Sequence, residues 1–348
     1  MFSFGLMTDT HPHLGEYARY AEEHGFNHFW VLDSPTNWRE MSPYMTLAVM
    51  NTKTATIGAC CTNPVTRNMA VNASLHATLQ ELSGGRVVLG IGKGDSAVRR
   101  MGERPAKLKE LKKTAPLMQK LASGEEIEYL PDAPSDEAWY EQAEGDLTLE
   151  FPWAMKQHMP MYVAGYGPKV LEWSGEHADG IFMQIAEPTT VEWAVEHLRK
   201  GADKADRDVD DIEVVVCCPS VVSDDHTAAC DAVRGFPAYV SNHVTDMLRY
   251  YDASDLPENL VACTKDKETY DYRHHTDSSA DHASAISDEI ADAFTVIGTA
   301  ERCAEKLVEL KARGATQICI YFMGIDEATM YETVDAYSSD IIPRVNDE

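Results

Sequence analysis

Short apolar runs recur along the chain at Phe2–Met7, His28–Leu32, Ala55–Cys61, Arg86–Ile91, Met161–Ala164, Gly180–Gln184, Ile212–Cys218 and Gln317–Phe322. Most are continuous rather than alternating, the pattern of parallel strands covered on both faces. Between them, apolar residues three and four apart predict helices over Leu14–His24, Ala70–Leu82, Lys107–Leu121, Val170–His177, Val191–Ala205, Ala300–Arg313 and Ala328–Ser338. Gly25 and Gly314 supply stops and Thr299 an N-cap, while Pro116 is expected to interrupt or kink its helix. Eight strands alternating with helices predict an α/β fold, a (β/α)8 TIM barrel spanning residues 1–348 as one domain, rather than an open sheet. Two segments exceed this pattern, at about 122–153 and 223–293. Loops of such length are functional or disordered, and here they are expected as insertions over the active-site end, with 223–293 as a lid segment.

Charge and composition narrow the function classes. The 348 residues carry 57 acidic and 30 basic side chains, a formal net charge of −27. That excess argues against a phosphate backbone as the main partner, so no nucleic acid is expected. No apolar run approaches the length of a membrane span. The start, Met1-Phe2-Ser3-Phe4-Gly5-Leu6, lacks the basic region and long apolar core of a signal peptide, so a cytoplasmic protein is expected. The eight cysteines include the adjacent pairs Cys60-Cys61 and Cys217-Cys218 but no C-x-x-C, which points to reduced, buried thiols acting as small hydrophobes.

Candidate chemistry lies where barrel enzymes keep it, at the strand ends. Residues 84–95 run from a Gly-Gly turn through an apolar strand into alternating glycines that end on Asp95; Gly92 and Gly94 let a ligand approach the backbone. The first strand ends in His11-Pro12-His13, a start for a metal site, but the fifth and sixth strand ends supply no further histidine, which disfavours a metal-dependent hydrolase. The second ends in Asp33-Ser34-Pro35 with Trp38 beyond. This is either an Asx or Ser turn, or a carboxylate and hydroxyl facing a ligand with Trp38 as an apolar wall. The third ends in Cys60-Cys61-Thr62-Asn63, either small residues that leave room for a planar ring or the start of a Pro-containing turn before the 70–82 helix. The fifth ends in Ala164-Gly165-Tyr166-Gly167-Pro168-Lys169. This is either a tight strand-to-helix turn, or a helix start that offers N–H groups to a phosphate with Lys169 adding charge. Neither glycine cluster has the Walker or dinucleotide spacing.

Taken together, Thr62–Arg67, Ala77–Arg86 and Leu89–Asp95 resemble the luciferase-like flavin and deazaflavin oxidoreductases. Ala164–Lys169, Ala178–Gly180 and Gly298-Thr299 extend the likeness, which is greatest toward the branch containing methylenetetrahydromethanopterin reductase. The resemblance implies a barrel that is commonly dimeric, with coenzyme F420, or alternatively FMN, at the carboxyl ends of the strands. It implies a non-proline cis peptide in the third strand, which falls at Cys60–Cys61. It also implies cofactor contacts from Asp33, Ser34, Cys60, Cys61, Thr62, Asn63, Gly92, Gly94, Asp95, Ala164, Gly165, Tyr166, Gly167 and Lys169. Many deazaflavin-dependent relatives have Asp-His at the second strand end; this chain has Asp33-Ser34. The expected reaction is hydride transfer to or from a small organic substrate, with Asp95, Trp38 and Asp33 as catalytic candidates and Asp95 shuttling a proton or holding the ring. A reduced-FMN monooxygenase is the alternative, and a non-catalytic flavin-binding barrel a lesser one. Tyr270–His275 is either a polar surface loop, the favoured reading, or a source of lid and substrate contacts.

Overall fold

The computed structural model describes residues 1–129, 145–150, 156–264, 283, 286–322 and 324–347. Eleven strands occur among them: β1 Ser3–Thr8, β2 His28–Val31, β3 Thr56–Ala59, β4 Val87–Gly92, β5 Ile127–Tyr129, β6 Gly145–Leu147, β7 Met161–Ala164, β8 Gly180–Met183, β9 Glu213–Val222, β10 Val296–Gly298 and β11 Gln317–Tyr321. Eight of them, in the order β1-β2-β3-β4-β7-β8-β9-β11, pair in parallel and close on themselves through β11 and β1, giving the expected (β/α)8 barrel. Each of the eight apolar runs holds one barrel strand. β9 is longer than predicted. Its first part completes the barrel, and its last residues, Ser220–Val222, pair with β10. β10 is three residues long, too short for a period to register.

The helices are α1 Leu14–Glu23, α2 Met41–Asn51, α3 Met69–Ser83, α4 Ser96–Arg99, α5 Leu108–Ala122, α6 Pro168–His177, α7 Pro188–Lys204, α8 His226–Val233, α9 Gly235–Met247, α10 Glu258–Ala262, α11 Asp288–Phe294, α12 Ala300–Ala312, α13 Glu327–Ala336 and α14 Ile342–Asp347. Local signals set several ends. The Asn68 side chain accepts from the Ala70 and Val71 amides to start α3, and Gly84 at φ +68° ends it. Thr299 caps α12 as expected. Helix α5 continues through Pro116 instead of stopping there. Helix α2 shows no periodic pattern in the sequence because both its faces are apolar: Met41, Met45, Ala48 and Val49 are buried, while Leu47 and Met50 face outward.

Trp30 fills the barrel interior. It meets Phe182 edge-on at 4.9 Å and Tyr162 at 5.8 Å, and its indole N–H donates to Gln317 Oε1 at 3.0 Å. The ring fits only because its neighbour on β3 is glycine: a Cβ on Gly58 would lie 2.3 Å from the indole. Where described, the first surplus segment carries the antiparallel β5–β6 pair, and the second is mainly helical, through α8 to α11. Tyr270–His275 lies outside the described residues. Among the described residues no helix is long and apolar enough to cross a membrane.

Candidate active site

A cavity of about 300 Å³ opens at the carboxyl ends of the strands, and its walls are mainly apolar. Met7, Cys60, Cys61, Phe182 and Tyr321 contribute to its apolar lining. Of the residues expected there, Asp33, Ser34, Trp38, Cys60, Cys61, Asn63, Gly92, Gly94, Asp95, Ala164, Gly165, Tyr166 and Gly167 line it. Two expected residues do not. Thr62 is fully buried behind the wall. Lys169 is exposed, with its ammonium 5.8 Å from the centre of the Tyr251 ring. The amide of Lys169 donates to Tyr251 Oη at 3.4 Å, so the first turn of α6 meets a phenol.

The bend after β3 is held from below. The Cys60–Cys61 peptide is cis, as the resemblance implied. Asp33, at the end of β2, receives Thr62 Oγ1 at 2.7 Å and both Arg67 Nε at 2.9 Å and Nη2 at 2.8 Å. Both its oxygens are therefore committed to protein donors. Ser34 Oγ accepts from Asn37 and lies 3.3 Å from Ser96 Oγ. Asn63 Oδ1 accepts the Val65 and Thr66 amides, leaving Asn63 Nδ2 buried without a hydrogen-bond partner. An unpaired buried donor is costly, so this one marks a place for a ligand acceptor. The glycines of β4 serve first the approach of this bend. A Cβ on Gly90 would sit 1.8 Å from the Ala59 carbonyl oxygen, and one on Gly92 2.8 Å from Cys61 Sγ. Room for a ligand follows from room for the chain. All eight cysteines are free thiols, and burial pushes Cys61 well above the ordinary range.

Asp95 follows Gly94, which has φ +72°, and its carboxylate is doubly held. Arg99 Nε donates at 2.6 Å, and His243 Nε2 lies 3.3 Å from Oδ2. Burial alone would raise the Asp95 pKa, but the hydrogen bonds and charges of His243 and Arg99 outweigh it and hold the carboxyl well below the usual range. Arg99 also reaches Asp246 at 2.6 Å, and Lys93 approaches the same carboxylate at 3.5 Å. Helix α9 is thereby tied to the β4–α4 loop. It presents Tyr239, His243 and Met247 to the cavity. His243 Nδ1 bonds the Tyr166 hydroxyl, and Tyr239 meets the His243 ring edge-on at 4.7 Å. Sequence reading missed these α9 residues because a lone histidine in a long surplus segment carries no motif. The i,i+4 spacing of Asp95 and Arg99 was a usable signal for their pairing. His11 is not among the cavity walls; it stacks on Tyr17 and bonds its hydroxyl at 3.1 Å. Among the described residues no cluster of three metal-ligating side chains forms.

A closed parallel barrel with an apolar cavity at its strand ends is the architecture of a barrel enzyme. The chain belongs to the luciferase-like monooxygenase family, whose pattern matches residues 5–317. It is 29% identical over 313 residues to a 5,10-methylenetetrahydromethanopterin reductase of Methanolobus tindarius, covering 88% of each chain. It is 27% identical over 237 residues to an F420-dependent glucose-6-phosphate dehydrogenase of Amycolatopsis mediterranei, covering 64% of this chain and 68% of the relative. Its fold superposes with a TM-score of 0.76, at 22% identity and 99% coverage of both chains, on an F420-dependent secondary alcohol dehydrogenase solved with an F420–acetone adduct.

Proposed function

We propose that this chain is an oxidoreductase that transfers a hydride between coenzyme F420, bound in the strand-end cavity, and a small organic substrate at its mouth. The observation that carries this reading is the cavity itself. Apolar walls of Met7, Cys60, Cys61 and Phe182 suit a planar ring, and the unpaired Asn63 Nδ2 suits an acceptor on the ring's edge. The F420-dependent glucose-6-phosphate dehydrogenase relative and the F420-dependent alcohol dehydrogenase structure favour the deazaflavin over FMN. When bound, the deazaflavin supplies the carbon that accepts or gives the hydride.

The protein's own residues bind, orient and exclude water. Asp33 fixes Arg67 and Thr62 and so sets the Cys60–Asn63 bend. Gly165–Gly167 would hold the cofactor's phosphate-bearing tail, beside the α6 turn whose Lys169 amide meets Tyr251. Trp38, Tyr239 and Met247 wall the mouth and keep water from the reacting carbon. Asp95 acts as a fixed anion: a group that shuttles protons needs a pKa near the working pH, and this carboxyl is held far below it. Lys93 is a cavity-wall cation whose charge meets Asp246, which favours a substrate without a phosphate group.

We further propose that the working unit is a homodimer joined through α2 and α3. Leu47 and Met50 on the first and Val71 and Leu82 on the second are exposed. The one carboxylate across the two helices is Glu81, and neither carries a lysine or arginine.

Ring-fluorescence titration of the purified protein tests the cofactor. Oxidised deazaflavin is expected to bind at least about tenfold (1.4 kcal/mol) more tightly than FMN. Tight FMN binding with no response to deazaflavin would overturn the assignment in favour of a flavin monooxygenase.

A further inference from the structure

We propose that Tyr166, His243 and Asp95 form a proton-transfer triad in which the Tyr166 hydroxyl is the group that touches the substrate. The proposal rests on the hydride-transfer reading above. Three separate elements build it: the turn after β7, helix α9, and the loop after β4. The direction of the hydrogen bonds follows from the charges. Asp95 is ionised and can only accept, so His243 Nε2 must carry the hydrogen that faces Asp95 Oδ2 at 3.3 Å. In the neutral ring, Nδ1 is then the acceptor, and the Tyr166 hydroxyl donates to it. The chain of donors runs one way, from Tyr166 through His243 to Asp95.

This order dictates what the triad can do. Burial raises the Tyr166 hydroxyl well above the ordinary phenol range, with Tyr239 and Asp95 adding to the shift, so an isolated phenolate is inaccessible. Tyr166 can take a proton only by passing its own to His243. In the oxidative direction, a substrate hydroxyl gives its proton to Tyr166 Oη as the phenol proton moves to His243 Nδ1. The C–H bond breaks with its electron pair leaving as hydride to the deazaflavin, and the hydroxyl carbon becomes a carbonyl. The imidazolium so formed lies between Tyr166 and the Asp95 carboxylate. The reductive direction returns the same proton to the substrate.

The surroundings suit a transient positive ring. Asp95 faces it from the β4–α4 loop, balanced by Arg99 on α4. Asp246, on α9 itself, is held by Arg99, Lys93 and Arg249. Tyr239, also on α9, presents an uncharged ring edge, its hydroxyl pushed up by burial and by Asp95. Tyr166 is thus the catalytic residue, and His243 and Asp95 position and recharge it.

Two measurements test this. Long-range ¹H–¹⁵N NMR of the histidine rings, with no ligand added, is expected to show the neutral His243 ring as the Nε2–H form, and Asp95→Asn is expected to release that tautomer preference. A neutral ring protonated on Nδ1, or a tautomer untouched by Asp95→Asn, would overturn the triad. The second follows F420-linked turnover of propan-2-ol and of methylenetetrahydromethanopterin. Tyr166→Phe should lower kcat by about 100-fold and flatten its pH profile, while deazaflavin Kd stays within about threefold. His243→Gln should alter the pH profile in the same way. A Tyr166→Phe protein that keeps wild-type kcat would overturn the proposal. A wild-type protein that binds no deazaflavin would instead overturn the hydride-transfer reading, and the ring tautomer would still decide whether the triad exists.

Discussion

At the scale of single residues, the two acidic groups of the cavity differ in what holds them. Asp33 has both oxygens on Arg67 and Thr62, and its side chain is 1% exposed. Removing one partner of a buried ion pair leaves the other charge uncompensated. Arg67→Met is therefore expected to cost about 3–5 kcal/mol in urea unfolding; a loss under about 1 kcal/mol would show that the pair does not brace the β3 bend. Asp95 makes a pH prediction. Its folded pKa is depressed, so its contribution to stability is present above the ordinary carboxylate pKa of about 4 and is lost as pH falls below it. The melting-temperature gap between wild type and Asp95→Asn should shrink as pH falls below about 4. A gap that kept its full size down to pH of about 2 would contradict the ion-paired carboxylate. The sequence places Asp95 at a strand end, as found, and the resemblance gives it the task of shuttling a proton or holding the ring. Its pairing with His243, 148 residues away along the chain, is encoded by no local pattern.

At the scale of elements, barrel strands were legible because burial on both faces leaves a continuous apolar run, and the βα turns were legible through their glycines. What escaped reading lacked a period. Helix α2 is apolar all round, β10 is three residues long, and α9 begins Gly-Phe-Pro within a segment that had no strand to anchor it. Of the β4 glycines, Gly92 lines the cavity while Gly90 serves the contact with β3. Gly90 is pressed on the backbone of β3, whereas a Cβ added to Gly84 would meet no atom within 4 Å, so that residue is glycine for its φ of +68°. These two causes predict different penalties. Gly84→Ala should cost about 1–2 kcal/mol, the cost of a left-handed alanine. Gly90→Ala forces strands apart and should cost about 3 kcal/mol or more. Equal losses in chemical denaturation would mean that the β3–β4 contact gives way more easily than its geometry indicates.

At the scale of the whole molecule, the charge distribution bears on assembly. A net charge of −27 makes two copies repel at long range. Helices α2 and α3 pack side by side yet expose Leu47, Met50, Val71 and Leu82, with Met50 and Val71 each 65% exposed. A cationic partner would find little to pair with on this face, whereas a second copy would meet a surface like its own. Burying one such side chain is worth about 1.5–3 kcal/mol, so a carboxylate placed there should be decisive. Met50→Glu and Val71→Glu are expected to shift the protein from dimer to monomer in sedimentation velocity, while Tyr250→Glu, also exposed but beyond the end of α9, leaves the dimer intact. Salt gives an independent sign. Because the proposed contact is apolar and the opposing force is like-charge repulsion screened over about 8 Å at physiological ionic strength, added salt should tighten the dimer. A dimer that loosened with salt would be held by ion pairs at some other face, and a wild-type protein that sedimented as a monomer would remove the α2–α3 interface altogether.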